Sequence, residues 1–186
     1  MQLLLISGSR NPAGQTARAA EAVLAGYAAA GGQATRLYLP ELAIERCRQC
    51  DERGWGTCRS AGDCVIEDDL DQVVAAIRAA DAVLFATPVY YGDLSESMRA
   101  LTDRLRRCAT HMADAAGIKG KIAVGVCVAG GGGGGAPTCC VSLERVLRII
   151  GFDLVDIIPV RRQNLVAKLA QLKLVGAWLA TGPASG

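Results

Sequence analysis

Two segments of this chain, Ala82-Val83-Leu84-Phe85-Ala86 and Ile122-Ala123-Val124-Gly125-Val126, are apolar at every position. A strand with one face in water alternates apolar and polar residues, whereas a strand covered by helices on both faces has no polar side to keep. These runs therefore predict central strands of a parallel sheet. Parallel neighbours need crossover connections, and the chain supplies them, because β-like runs at 2–7, 34–39, 82–87, 121–128 and 152–160 alternate with helical stretches. The helices are expected at about 14–30, from Asp69 onward with Leu70, Val73, Val74 and Ile77 on one face, at 96–108 behind a Ser95 cap, at about 141–150, and as an amphipathic helix at about 165–179. The predicted fold is α/β: a five-stranded doubly wound parallel sheet in a three-layer α/β/α arrangement.

With 51% apolar side chains in 186 residues the chain can bury one substantial core, and no tether divides it. We expect a single domain over 1–186, carrying a Cys-rich insert at about 43–65 where periodicity vanishes. A net charge of +2 is too small a cationic field to hold a nucleic acid. The apolar run Leu3 to Ile6 is too short for a secretory leader, and the run at 165–179 is broken by Lys168 and Lys173, so a cytoplasmic protein without a membrane span is expected.

In such sheets ligands bind beyond the carboxyl ends of the strands, which directs attention to the loops there. The first, Ser7-Gly8-Ser9-Arg10-Asn11-Pro12-Ala13-Gly14-Gln15-Thr16, brings hydroxyls, a guanidinium and backbone N–H groups to a helix N-terminus. That combination holds a phosphate, with Ser9, Gln15 and Thr16 as donors and Arg10 as counter-charge, although it also suits a capped helix after a polar turn. The absence of a following Gly-Lys-Ser/Thr excludes a Walker A loop. The loop after the third strand, Thr87-Pro88-Val89-Tyr90-Tyr91-Gly92-Asp93-Leu94-Ser95, can flank a flat heterocycle, or its tyrosines can pack in a dimer interface. Six glycines at 130–135 follow the fourth strand. A homopolymer matches any glycine motif, so they identify no dinucleotide site; they offer either side-chain-free backbone to a ligand or a mobile loop.

The insert holds Cys47, Cys50, Cys58 and Cys64 in the spacing C-x2-C-x7-C-x5-C. Four thiolates in one loop suit an iron–sulfur cluster or zinc, while C-x2-C alone is also a thiol redox motif. Cys108, Cys127 and at least one of Cys139 and Cys140 read as buried apolar residues. The sole histidine, His111, reads as an exposed loop residue, which removes support for a triad hydrolase. Asp68, Asp69 and Asp71 read as carboxylates favouring a helix N-terminus.

Taken in order, Gly8-Ser9-Arg10 through Gly14-Gln15-Thr16, then Cys47 to Cys64 with Val65-Ile66-Glu67-Asp68-Asp69, then Thr87-Pro88-Val89-Tyr90-Tyr91-Gly92, resemble the NADPH-dependent FMN reductase family of flavodoxin-like proteins, especially its iron–sulfur flavoprotein branch. The resemblance covers about 1–160. It implies FMN, with the phosphate on Ser9, Arg10, Gln15 and Thr16 beside Gly14, and the ring beside Pro88, Val89, Tyr90, Tyr91, Gly92, Gly130 and Gly131. It further implies NAD(P)H as reductant, a quinone, free flavin or similar small acceptor, and a homodimer or homotetramer. In iron–sulfur relatives a compact C-x2-C-x2-C and a fourth cysteine hold a [4Fe-4S] cluster, with a ferredoxin-type carrier as partner. Here Arg53 stands at the third position and Cys58 comes five residues later. No dedicated acid or base is required by flavin chemistry, so no catalytic side chain is named.

Overall fold

The computed structural model describes residues 1–111 and 117–182. Five parallel strands, β1 (Gln2–Ser7), β2 (Gln33–Tyr38), β3 (Ala82–Pro88), β4 (Ile122–Ala129) and β5 (Asp153–Arg161), form one sheet in the order β2-β1-β3-β4-β5. The helices are α1 (Gln15–Ala29), α2 (Thr57–Ser60), α3 (Leu70–Ala79), α4 (Glu96–Ala109), α5 (Ala136–Ile150) and α6 (Leu165–Thr181).

Alternate residues of the central strands enter two separate cores, which is why those strands have no polar side. Leu4, Ile6, Val83, Phe85, Ala123 and Cys127 pack with α3, α4 and α5, whereas Leu3, Leu5, Leu84, Val124 and Val126 pack with α1 and α6. Phe85 and Phe152 meet edge to face at 5.2 Å in the first core. Ser95 caps α4 as the sequence predicts, its hydroxyl accepting from the Met98 N–H at 3.4 Å.

Two helices depart from expectation. Helix α5 begins at Ala136, directly after the glycines, because Gly135 supplies a left-handed turn (φ 80°) and Pro137 fits the first turn. Helix α6 is not amphipathic: it buries Leu165, Leu172 and Leu179 yet leaves Val166, Leu174 and Trp178 exposed. Its contact with α1 is made backbone to backbone instead. A Cβ at Gly176 would overlap the Val23 carbonyl, and one at Gly26 would overlap the Lys173 carbonyl. No helix among the described residues is long and apolar enough to cross a membrane.

This contact decides the sign of a substitution. Helix propensity favours Gly176→Ala by about 1 kcal/mol. Overpacking against a carbonyl costs about 1 to 3 kcal/mol and opposes that gain. We expect net destabilisation, seen as a lower urea midpoint than wild type.

Candidate functional site

The strand order reverses between β1 and β3, so the connections from these two strands leave toward opposite faces and a crevice opens at their carboxyl ends. The first loop is held by its own bonds, with Asn11 Oδ1 accepting from the Ala13 N–H at 3.0 Å and the Asn11 carbonyl accepting from the Gly14 N–H at 3.1 Å. Helix α1 then starts after an extended Gly14, with no side chain capping it and no acidic residue in its first turn. The positive end of the helix dipole therefore meets no carboxylate from its own first turn. Ser9 and Thr16 are buried there, Arg10 is exposed, and Gln15 Oε1 is buried without a hydrogen-bond partner.

The loop after β3 turns through a two-residue hairpin. Tyr90 and Asp93 exchange backbone hydrogen bonds at 3.0 Å, and the intervening Tyr91 (φ 51°) and Gly92 (φ 81°) are both left-handed. Glycine adopts this without cost, whereas a tyrosine there stores about 1 to 3 kcal/mol of strain, a feature that clusters at functional sites. Tyr91 is fully exposed and Tyr90 partly so.

The three loops are tied together. Ser97 Oγ donates to the Gly8 carbonyl at 3.3 Å, and a Cβ at Gly8 would overlap Ser95 Oγ. A Cβ at Gly135 would lie 2.6 Å from Gly92 Cα, so only glycines allow the second and third loops to touch. Gln163 Nε2 braces the glycine loop by donating to the Gly132 carbonyl at 3.0 Å, a role no sequence signal announced. At Gly130 and Gly131 the space a side chain would fill is open.

The cysteine insert folds onto α4. Cys47, Cys50, Cys58 and Cys64 line one cavity with Trp55, Arg104, Arg107 and Cys108. Among the described residues, no three Cys, His, Asp or Glu side chains are grouped closely enough to hold a single metal ion; the thiols are spread around the wall. Gly56 packs against Cys50, whose Cβ would lie 3.2 Å from a Cβ built there. Trp55 closes the cavity, with the Arg107 guanidinium 4.8 Å and the Arg59 guanidinium 5.5 Å from its ring centre. His111 meets the same ring edge-on at 5.4 Å and is half-buried, which corrects its reading as an exposed loop residue.

Asp68 and Asp69 also do more than start α3. Asp69 Oδ2 accepts from the Ala43 N–H at 2.7 Å, Asp68 Oδ2 accepts from the Glu45 N–H at 2.9 Å, and Asp68 pairs with Arg104 Nη1 at 2.5 Å. Arg104, fully buried, donates further to the carbonyls of Glu45 and Ile66, both at 3.2 Å. Both ends of the insert are thus fastened to one buried ion pair.

The sequence profile of the NADPH-dependent FMN reductase family matches residues 1–168. The chain belongs to that family. An iron–sulfur flavoprotein of Methanocaldococcus jannaschii is 29% identical over 125 residues, covering 67% of this chain and 62% of that protein. One of Methanosarcina thermophila is 31% identical over 104 residues, covering 56% of this chain and 52% of that protein. The chain therefore spans less than two thirds of the length of either relative. In fold it resembles an NAD(P)H:quinone oxidoreductase from Methanothermobacter marburgensis, with a TM-score of 0.70 at 19% identity over 100% of this chain and 98% of the other. It is similar also to the azoreductase AzrA, with a TM-score of 0.68 at 16% identity over 96% and 100% of the two chains.

In this family member, burial pushes up cysteine thiols that lie outside the insert. Burial, with the neighbouring Cys64 and Cys58, pushes the Cys108 thiol up to about 12, so it stays protonated when no metal is bound. Cys127, Cys139 and Cys140 are buried together in the core, as the sequence predicts. Hydrogen bonding to Cys139 and Cys140, together with burial, pushes the Cys127 thiol up as well. Burial opposes ionisation of Asp68, but the hydrogen bonds from Arg104 and from the Glu45 and Leu70 N–H groups outweigh it and hold the carboxyl below its ordinary value.

Because the folded-state value is depressed, the stabilisation from Asp68 is fully present above the unfolded carboxyl's value of about 4 and is lost as pH falls through it toward the folded value. Asp68→Asn leaves Arg104 buried without its counter-charge and should cost about 3 to 5 kcal/mol at pH 7. Urea denaturation at pH 7, 5 and 3 should show wild type losing more stability on acidification than the variant, so that the gap between them narrows.

Proposed function

We propose that this chain is an FMN-dependent oxidoreductase that passes electrons from NAD(P)H or a reduced carrier to a small acceptor such as a quinone or free flavin, with an iron–sulfur centre in the insert. The observation that carries the reading is the meeting of three loops around an uncapped helix N-terminus, in a chain of the FMN reductase family.

The residues fit FMN. The bare first turn of α1 leaves backbone N–H groups without side-chain acceptors that an anion would supply, and Gly130 and Gly131 leave room for a flat ring. In this reading Ser9, Gln15 and Thr16 hydrogen-bond the phosphate, Gly14 lets the chain come close, and Arg10 supplies the counter-charge. Pro88, Val89, Tyr90, Tyr91 and Gly92 border the ring on one side and Gly130-Gly131 on the other. When bound, FMN supplies hydride acceptance and release of electrons singly or in pairs. The protein's part is to position it, to shape access past Tyr90 and Tyr91, and to exclude water; no side chain is assigned as acid or base.

Four thiols around one cavity are a donor set for a centre of several iron atoms, since no three of them among the described residues are close enough for a single ion. Cys47, Cys50, Cys58 and Cys64 would be its ligands, in a cavity that also presents two arginine Nε–H groups without acceptors. A second reading, an electron-transfer module for a ferredoxin-type protein, draws on the exposure of Cys50 at the surface of the insert. The exposed apolar strip of Val166, Leu174 and Trp178 on α6 supports self-association as a homodimer or homotetramer. The whole chain, 1–186, is taken as one FMN-binding domain.

Anaerobic purification followed by a visible spectrum and analysis of FMN, iron, acid-labile sulfide and zinc tests the reading. We expect FMN with iron and sulfide, and bleaching of the flavin band by NAD(P)H in stopped flow. Zinc without flavin would overturn it, and reduction by ferredoxin but not NAD(P)H would favour the carrier reading. Arg10→Ala should weaken FMN binding by about 1.5 to 3 kcal/mol if a charge-assisted hydrogen bond is lost, roughly 10- to 150-fold in Kd by fluorescence titration.

A further inference from the structure

The cavity beneath the insert contains two donors that the fold leaves unused. Arg104 and Arg107 stand one turn apart on α4 and both line the cavity, and the Nε of each is buried without a hydrogen-bond partner. Arginine is almost never fully buried unless paired, and a buried charged donor without an acceptor is among the costlier features a protein can keep. Nη1 and Nη2 of Arg104 bond to Asp68, Glu45 and Ile66, so its charge is balanced, and its guanidinium also reaches the Cys64 thiol, while its Nε–H has no partner. Arg107 differs. Its Nη1 donates to the Gly54 carbonyl at 2.6 Å and its guanidinium lies against Trp55, but among the described residues it has no ion pair. It therefore brings a net positive charge to a wall shared with four half-buried or exposed cysteines and the buried Cys108.

Neither Nε–H has an acceptor within the fold, so an acceptor for either has to come from an occupant of the cavity. The acceptors available there are sulfur atoms, and a centre bound by four thiolates is negatively charged. We propose that Arg104 and Arg107 are positioning and tuning residues for the iron–sulfur centre: their Nε–H groups donate to its sulfur atoms, and the Arg107 charge stabilises its electron-rich state. This rests on reading the insert as a cluster site. Adding an electron to an anion in a low-dielectric cavity is unfavourable, and a nearby cation and N–H···S bonds both oppose that penalty and raise the reduction potential. No bond is made or broken; one electron passes to the centre from a reductant, dithionite in the titration below and NAD(P)H or a reduced carrier in the proposed function.

Arg107 is the residue to vary, because losing Arg104 would strand Asp68 and unseat the insert. Arg107→Met keeps an apolar stem against Trp55 and removes both charge and Nε–H, whereas Arg107→Lys keeps the charge alone. For wild type and both variants, FMN, iron and sulfide per chain would be measured, with the midpoint potential from a mediated dithionite titration and the rate of iron release to a ferrous chelator. We expect unchanged FMN, a more negative potential and at least tenfold faster iron release in Arg107→Met, and intermediate values in Arg107→Lys. A fully loaded Arg107→Met with wild-type potential and release rate would overturn the proposal. If Arg107→Met keeps FMN but holds no iron, Arg107→Lys decides: a potential below wild type supports the proposal, and an unchanged one sinks it. Wild type with FMN but without iron and sulfide would show that the cluster reading itself has failed, and the proposal with it.

Discussion

Burial of both faces of β1, β3 and β4 leaves polar chemistry nowhere to sit except beyond the ends of the strands. Alternate side chains of these strands serve two cores, and Leu3 to Ile6 are all essentially inaccessible to water. Each such residue contributes roughly 1.5 to 3 kcal/mol through burial. The sheet is therefore the rigid frame, and the loops after β1, β3 and β4 are displayed from fixed points on its carboxyl edge. The switch in strand order between β1 and β3 converts that edge into a crevice.

The loops depend on the frame, and they also depend on one another. Gly8 against Ser95, and Gly135 against Gly92, are contacts that a single methyl group would prevent. The glycine run is braced at Gly132 by Gln163 and at Gly135 by Gly92, while Gly130 and Gly131 face open space. The run is therefore held at two points within the domain and is not a tether between domains.

The insert is a second, smaller construction with its own keystone. The Asp68–Arg104 pair fastens residues on both sides of it, and the Trp55–Arg107 stack closes it over α4. A buried ion pair is weak evidence of stability in itself, since desolvation offsets much of its attraction. Its value here is positional. It sets the backbone of 43–66 over the helix face that carries Arg104, Arg107 and Cys108, so that cysteines drawn from a long loop face groups drawn from a helix.

The sequence by itself determined the sheet, the order of its helices and the three strand-end loops, because two-sided burial, helical periodicity and glycine placement are local patterns. It also marked the four cysteines of the insert, whose spacing is visible along the chain. The tertiary structure alone decided what Asp68 and Asp69 do, since a carboxylate at a helix start looks the same whether it caps that helix or anchors a loop more than twenty residues earlier. It alone brought Cys108 and Arg107 to the insert, turned His111 onto Trp55, set Gln163 under the glycines, and made α6 pack through Gly176 instead of through an apolar stripe. The physical reason is common to these cases: each is a contact between residues far apart in sequence, made by side chains whose types are equally at home in solvent or in a core.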